Sequence, residues 1–156
     1  MKIVSTRAEL AVLRGFCHKD KKIAGTLFAN VDASYFYSPE SVEIYESVMR
    51  HYVETGESPS YRLVVTDPEI SEDARQFLRE STPSIHSTVD ARKAARILNR
   101  YRQTRGLYNM AAHIGDQLKR GQVNLSKLME EVSSSMGQIQ AKKTSADAFE
   151  HFGTNN

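Results

Sequence analysis

Apolar residues recur every three or four positions along most of this chain, with polar and charged residues between them. That period predicts amphipathic helices. The clearest case starts at Ser38, a natural N-cap, with Pro39 at the first helical position, where a missing N–H costs nothing. Val42, Tyr45, Val48, Met49 and Tyr52 then repeat at helical spacing, while Glu40, Glu43, Glu46 and Arg50 face elsewhere. Gly56 and Pro59 end the helix. Upstream, Thr6-Arg7-Ala8-Glu9 reads as a capping box, opening a helix that carries Leu10, Val12, Leu13 and Phe16 and stops near His18 to Asp20. A short helix around residues 23–30 buries Ile23, Leu27 and Phe28.

Tyr61-Arg-Leu-Val-Val65 has β propensity but no evident partner strand, and its type stays open. Ser71-Glu72-Asp73 caps a helix reaching about Glu80, and Ser81-Thr82-Pro83-Ser84 breaks it. A long helix without internal proline follows Ser87 and stops at Gly121; Ala94, Leu98, Tyr101, Tyr108, Ala111, Ile114 and Leu118 mark its apolar side. Asn124 caps a further helix with Leu125, Leu128, Val132, Met136 and Ile139 on one face. The short connection makes these two helices an antiparallel hairpin, whose apolar seam is too long to cover itself. The expected fold class is all-α: a compact helical bundle over residues 1–86, a long antiparallel helical hairpin over 87–143, and a polar stretch, 144–156, that reads as a linker despite Phe149 and Phe152.

Composition changes this picture little, but charge changes it more. The hydrophobic share of 40% and charged share of 26% are those of an ordinary globular protein, and no apolar run approaches the ~20 residues that span a bilayer. The single cysteine, Cys17, cannot form an intramolecular disulfide, so a reducing, cytoplasmic setting is expected, with Cys17 on the inner face of the first helix. The net charge of +2 is unevenly spread: residues 87–120 carry +6 and the remainder −4.

Several short motifs, in order, resemble the N-terminal domain of DnaB-type replicative DNA helicases over about residues 7–140. Ala8-Glu9-Leu10-Ala11-Val12-Leu13-Arg14-Gly15 resembles the family's opening Ala-Glu-Gln-x-Val-Leu-Gly. Ser34-Tyr35-Phe36-Tyr37 sits where the family places Asp-x-Phe-Tyr, and Ile44-Tyr45 where it places Ile-Phe. The stretch from Leu78 to Ser84 resembles the Leu-x-x-x-Thr-Pro-Ser break, and Arg105 lies near a basic position midway along the long helix. The stretch from Leu63 to Asp73 is shorter than in the family, and Glu40 and Ser41 replace a common His-Arg pair, which marks a divergent, phage-type member.

The resemblance implies an N-terminal collar domain that assembles a hexameric ring as a trimer of dimers. It implies docking of primase, and of a helicase loader, during DNA replication in the cytoplasm of a bacterial cell or phage host. It places ATP, Mg and most contact with single-stranded DNA in a separate motor domain following Asn156. The chain itself is not expected to be an enzyme. It has no Gly-Lys dipeptide and hence no P-loop, no metal-ligand spacing, and adjacent carboxylates that point apart on a helix. No catalytic residue, metal ligand or cofactor site is assigned to it.

Two sets of residues stand out. Leu107, Ala111, Ile114 and Leu118 with Leu128, Val132, Met136 and Ile139 form the expected oligomer interface. Arg92, Arg96, Arg100, Arg102 and Arg105 form a basic face for partner or nucleic-acid docking; the plainer reading is a solvated face answering acidic groups on the bundle or a neighbouring subunit. Tyr101 and Tyr108 could stack on bases, but their seven-residue spacing fits a packed seam better. The alternative functions are a nucleic-acid-binding helical protein using the Arg92 to Arg105 face, or the helicase-binding domain of a primase, which has a similar architecture.

Overall fold

The computed structural model describes residues 2–121 and 123–143, and among these every regular element is helical. The order is α1 (Thr6–Phe16), α2 (Lys21–Asn30), a 3-10 turn (Ala33–Tyr35), α3 (Pro39–Thr55), α4 (Tyr61–Val65), α5 (Glu72–Arg79), α6 (Thr88–Arg120) and α7 (Leu125–Gln140). No helix among the described residues is long and apolar enough to cross a membrane. The stretch 144–156, with Phe149 and Phe152, lies outside the described residues.

Local chemistry sets most boundaries. Side chains of Asp20, Ser60, Ser71, Ser87 and Asn124 each accept a backbone N–H of the helix they open. The open question over Tyr61–Val65 resolves as a single helical turn, which Ser60 starts by accepting the Leu63 N–H at 3.2 Å. At α1 the expected capping box does not form. Ser5, not Thr6, is the N-cap and accepts the Ala8 N–H at 3.1 Å, while the Glu9 carboxylate turns inward. There it accepts the N–H groups of Tyr37 (2.9 Å) and Ser38 (3.2 Å) at the start of α3. Ser38 therefore occupies the N-cap position without using its own side chain.

The core gathers Leu10, Leu13 and Phe16 from α1, Ile23 and Leu27 from α2, Tyr35 and Phe36, Ile44 and Val48 from α3, and Leu78 and Leu98. Phe16 packs against Phe28 with ring centroids 4.7 Å apart, and Phe36 against Tyr45 at 5.0 Å. Two buried faces differ from the expected ones. On α3 the buried residues are Ser41, Ile44, Ser47 and Val48, while Val42 and Tyr52 are exposed. That helix packs on both α1 and α5, and Ser47 donates its hydroxyl to Asp67 (2.5 Å) in the connection between α4 and α5. On α6 Leu98 of the expected stripe is buried and Ala94 partly so, but the rest of the buried face is Ala91, Ala95, Asn99 and Arg105, while Tyr108, Ala111 and Leu118 are exposed. Small residues there let α6 lie close on α1 and α2.

About three turns of α6 therefore belong to the bundle core, and the rest runs on to pair with α7. The helix is shared between the two parts.

Candidate assembly interface

The hairpin turns at Gly121, whose φ of 71° is the left-handed conformation glycine adopts without strain. Its two helices pack tightly at Gly106, where a Cβ would sit 2.7 Å from Ile139 Cγ1. The far end of α7 is tied back to α6. Arg102 donates to the carbonyls of Gln138 (3.3 Å), Ile139 (3.1 Å) and Ala141, and its guanidinium lies 5.4 Å over the Tyr35 ring. Gln103 adds a bond to the Ile139 carbonyl at 3.2 Å.

The two sides of the hairpin differ in chemistry. One is a groove of about 610 Å³ that mixes polar side chains, among them Asn109, His113, Glu131, Ser135 and Gln138, with Met110 and the expected interface residues Val132 and Ile139; His113 Nε2 lies 2.9 Å from Glu131. A turn of roughly 100° per residue puts Leu107, Ala111, Ile114 and Leu118 of α6 on the other side, with Leu125, Met129 and Met136 of α7. None of these lines that groove. Leu107 is 46% exposed, Leu118 57%, Leu125 63% and Met129 70%, so the side is apolar and open.

The eight expected interface residues thus divide by position. Leu128 is buried inside its own hairpin and Ile139 packs on Gly106. Ile114, Val132 and Met136 are half-buried, and Leu107, Ala111 and Leu118 face outward. Met129 was missed, although its spacing of four from Leu125 and seven from Met136 carries the signal.

The basic set divides more sharply. Arg105 is buried and donates to the carbonyls of Ile3 (3.0 Å), Ser34 (3.4 Å) and Tyr35 (3.3 Å), with its guanidinium 5.3 Å over the Tyr37 ring. Burial pushes its pKa down, and the Glu9 carboxylate opposes that. Arg105 and Arg102 hold the fold together, so of the expected basic face only Arg92, Arg96 and Arg100 are left uncommitted. These three are exposed, and none has a carboxylate partner among the described residues. Tyr108 is exposed as well instead of packed, because the seam of α6 runs through Gly106, Met110, Ile114 and Gln117.

No protein-family model and no curated protein matches the chain. Among solved structures it is similar to the N-terminal domain of DnaB helicase from Mycobacterium tuberculosis, with a TM-score of 0.66 over 87% of this chain and 99% of that one. The sequences are 15% identical over the match. The fold is that of the DnaB N-terminal domain.

Proposed function

We propose that this chain is the assembly domain of a replicative DNA helicase. Hairpins of two copies pair about a two-fold axis, and three such pairs close a hexameric collar that docks primase or a helicase loader. The ATP- and Mg-dependent motor, and the main grip on single-stranded DNA, belong to another domain of the parent helicase. The observation that supports this reading is the open apolar side of the hairpin, on a fold similar to a helicase N-terminal domain.

The size of that surface suits a real but modest association. Leu107, Leu118, Leu125 and Met129 are each about half exposed or more. Covering all four on both copies gives about 6–12 kcal/mol, at about half of the 1.5–3 kcal/mol for full burial, against an association cost of about 4–15 kcal/mol. At the favourable end of both ranges, a gain of about 12 against a cost of about 4 kcal/mol, the net of about 8 kcal/mol corresponds to a dimer in the micromolar range.

Sedimentation equilibrium of the chain tests this. Leu118→Glu with Met129→Glu changes two exposed residues, so helicity by circular dichroism should be kept while the mass falls to that of a monomer. A wild-type chain that stays monomeric at several hundred micromolar would overturn the pairing and favour the fold's other expected use, as a helicase-binding domain of a primase.

A further inference from the structure

The long helix carries a second surface that subunit pairing does not use. Arg92, Lys93, Arg96 and Arg100 are all exposed, and no carboxylate meets any of them among the described residues. Asp90 stands two residues before Arg92 and three before Lys93, but from there to Asp116 there is no acidic residue, so Arg96 and Arg100 have none within a turn. A helix face kept merely soluble usually interleaves both signs at a spacing of four, where opposite charges attract and like charges repel. Arg92, Arg96 and Arg100 stand at that repelling spacing, and among the described residues no carboxylate pairs with any of them.

The opposite side of the same turns is fixed. Ala91, Ala95 and Leu98 are buried against α1 and α2, so the cations project from a rigid rail. Successive arginines are separated by about 6 Å along the helix axis. Two turns beyond Arg100 the exposed Tyr108 ring stands on the outward half of α6. A row of cations followed by an exposed aromatic ring suits a strand with phosphates on one edge and unpaired bases on the other. A duplex suits it less, because a helix that reads a groove must enter it, and the bundle flanks this one.

We infer that the outward face of α6, through Arg92, Lys93, Arg96 and Arg100 with Tyr108, holds the phosphate backbone of a single-stranded nucleic acid. The inference does not depend on the hairpin pairing, and a monomer would bind as well. It narrows the basic face by removing Arg102 and Arg105, which are committed to the fold.

Fluorescence anisotropy with the 156-residue chain and a labelled oligothymidylate, titrated at several salt concentrations, tests it. Four phosphate contacts predict that a fourfold rise in salt weakens binding about 50-fold, from a logarithmic slope of about −0.7 per contact. Arg96→Gln with Arg100→Gln should cut that loss to about 7-fold. Tyr108→Ala should weaken binding at every salt concentration, by about fivefold or more, without changing the slope. No binding at low salt overturns the inference, and so does an arginine variant with the wild-type slope. Equal affinity for a duplex of the same sequence overturns the single-strand assignment. An arginine variant that changes the sedimenting mass but not DNA affinity overturns it too, by assigning the cations to another protein copy.

Discussion

Removing the Glu9 carboxylate should destabilise this domain more than any surface change of similar size. Glu9 is fully buried in α1, accepts the N–H groups of Tyr37 and Ser38, and lies within the field of the buried Arg105. Glu9→Ala leaves those two donors without their acceptor. A buried, unpaired N–H costs about 1–3 kcal/mol, and the Tyr37 N–H, only partly buried, recovers some of its cost from water. With the lost compensation for Arg105, the total is about 2–4 kcal/mol, or a fall in melting temperature of about 5–15 °C.

Thermal and urea unfolding followed by circular dichroism measure this. Glu9→Gln keeps one carbonyl acceptor but loses the charge, so it should fall between wild type and Glu9→Ala. Combining Glu9→Ala with Arg105→Met should cost less than the sum of the two single changes, because each change already strips the other residue of its counter-charge. A Glu9→Ala melting point within about 2 °C of wild type would refute the reasoning, as would strict additivity in the cycle.

Two further outcomes follow from titratable groups. Burial pushes the Asp67 carboxyl up, but bonds from the Ser47 hydroxyl, the Glu69 N–H and the Arg50 guanidinium outweigh it and hold the pKa at about 2, against 3.8 for a free side chain. A depressed folded value stabilises above the unfolded pKa, so about 2 kcal/mol should be present at neutral pH and lost as pH falls from about 4 to about 2. Melting temperature against pH should show that loss in wild type and lack it in Asp67→Asn. The Cys17 thiol is pushed up to about 12 by burial, with Arg14 and Lys21 pulling weakly the other way. It should therefore react slowly with a disulfide reagent at neutral pH and promptly in denaturant; prompt labelling of the native chain would contradict its packing.

What the sequence made legible was local. Pro39, Ser71, Ser87, Gly121 and Asn124 act on residues within one turn, so element type and boundaries could be read directly. The burial of α3 could not, because Ser47 fills a position that the hydrophobic period assigns to solvent, and Ser41 carries no apolar side chain to mark its buried one. Glu9 and Arg105 were misread for a related reason. Their partners lie 28 to 102 residues away, and no pattern within one helix signals a charged side chain that bonds distant backbone in the core. Within the interface, the apolar surplus of the hairpin was visible as spacing. Which residues the hairpin keeps for itself depended on how closely Gly106 lets α7 approach, a fact of packing.

The misread residues also decide what the hairpin can present. Ala91, Ala95 and Leu98 fix the first turns of α6 to the bundle, Arg105 locks the next to the segments around Ile3 and Tyr35, and Arg102 pins the end of α7. Beyond Gly106 the helix runs uninterrupted to Arg120, about 22 Å at the rise of an α-helix, with α7 as its companion. Leu107, Ala111 and Leu118 all fall on that free length, and so do Leu125 and Met129 on the paired helix. The polar anchors thus hold the arm at a set angle, while the apolar side begins where the anchoring ends. In the proposed dimer a second copy would meet a surface whose orientation is already fixed, so little conformational freedom would be lost on pairing.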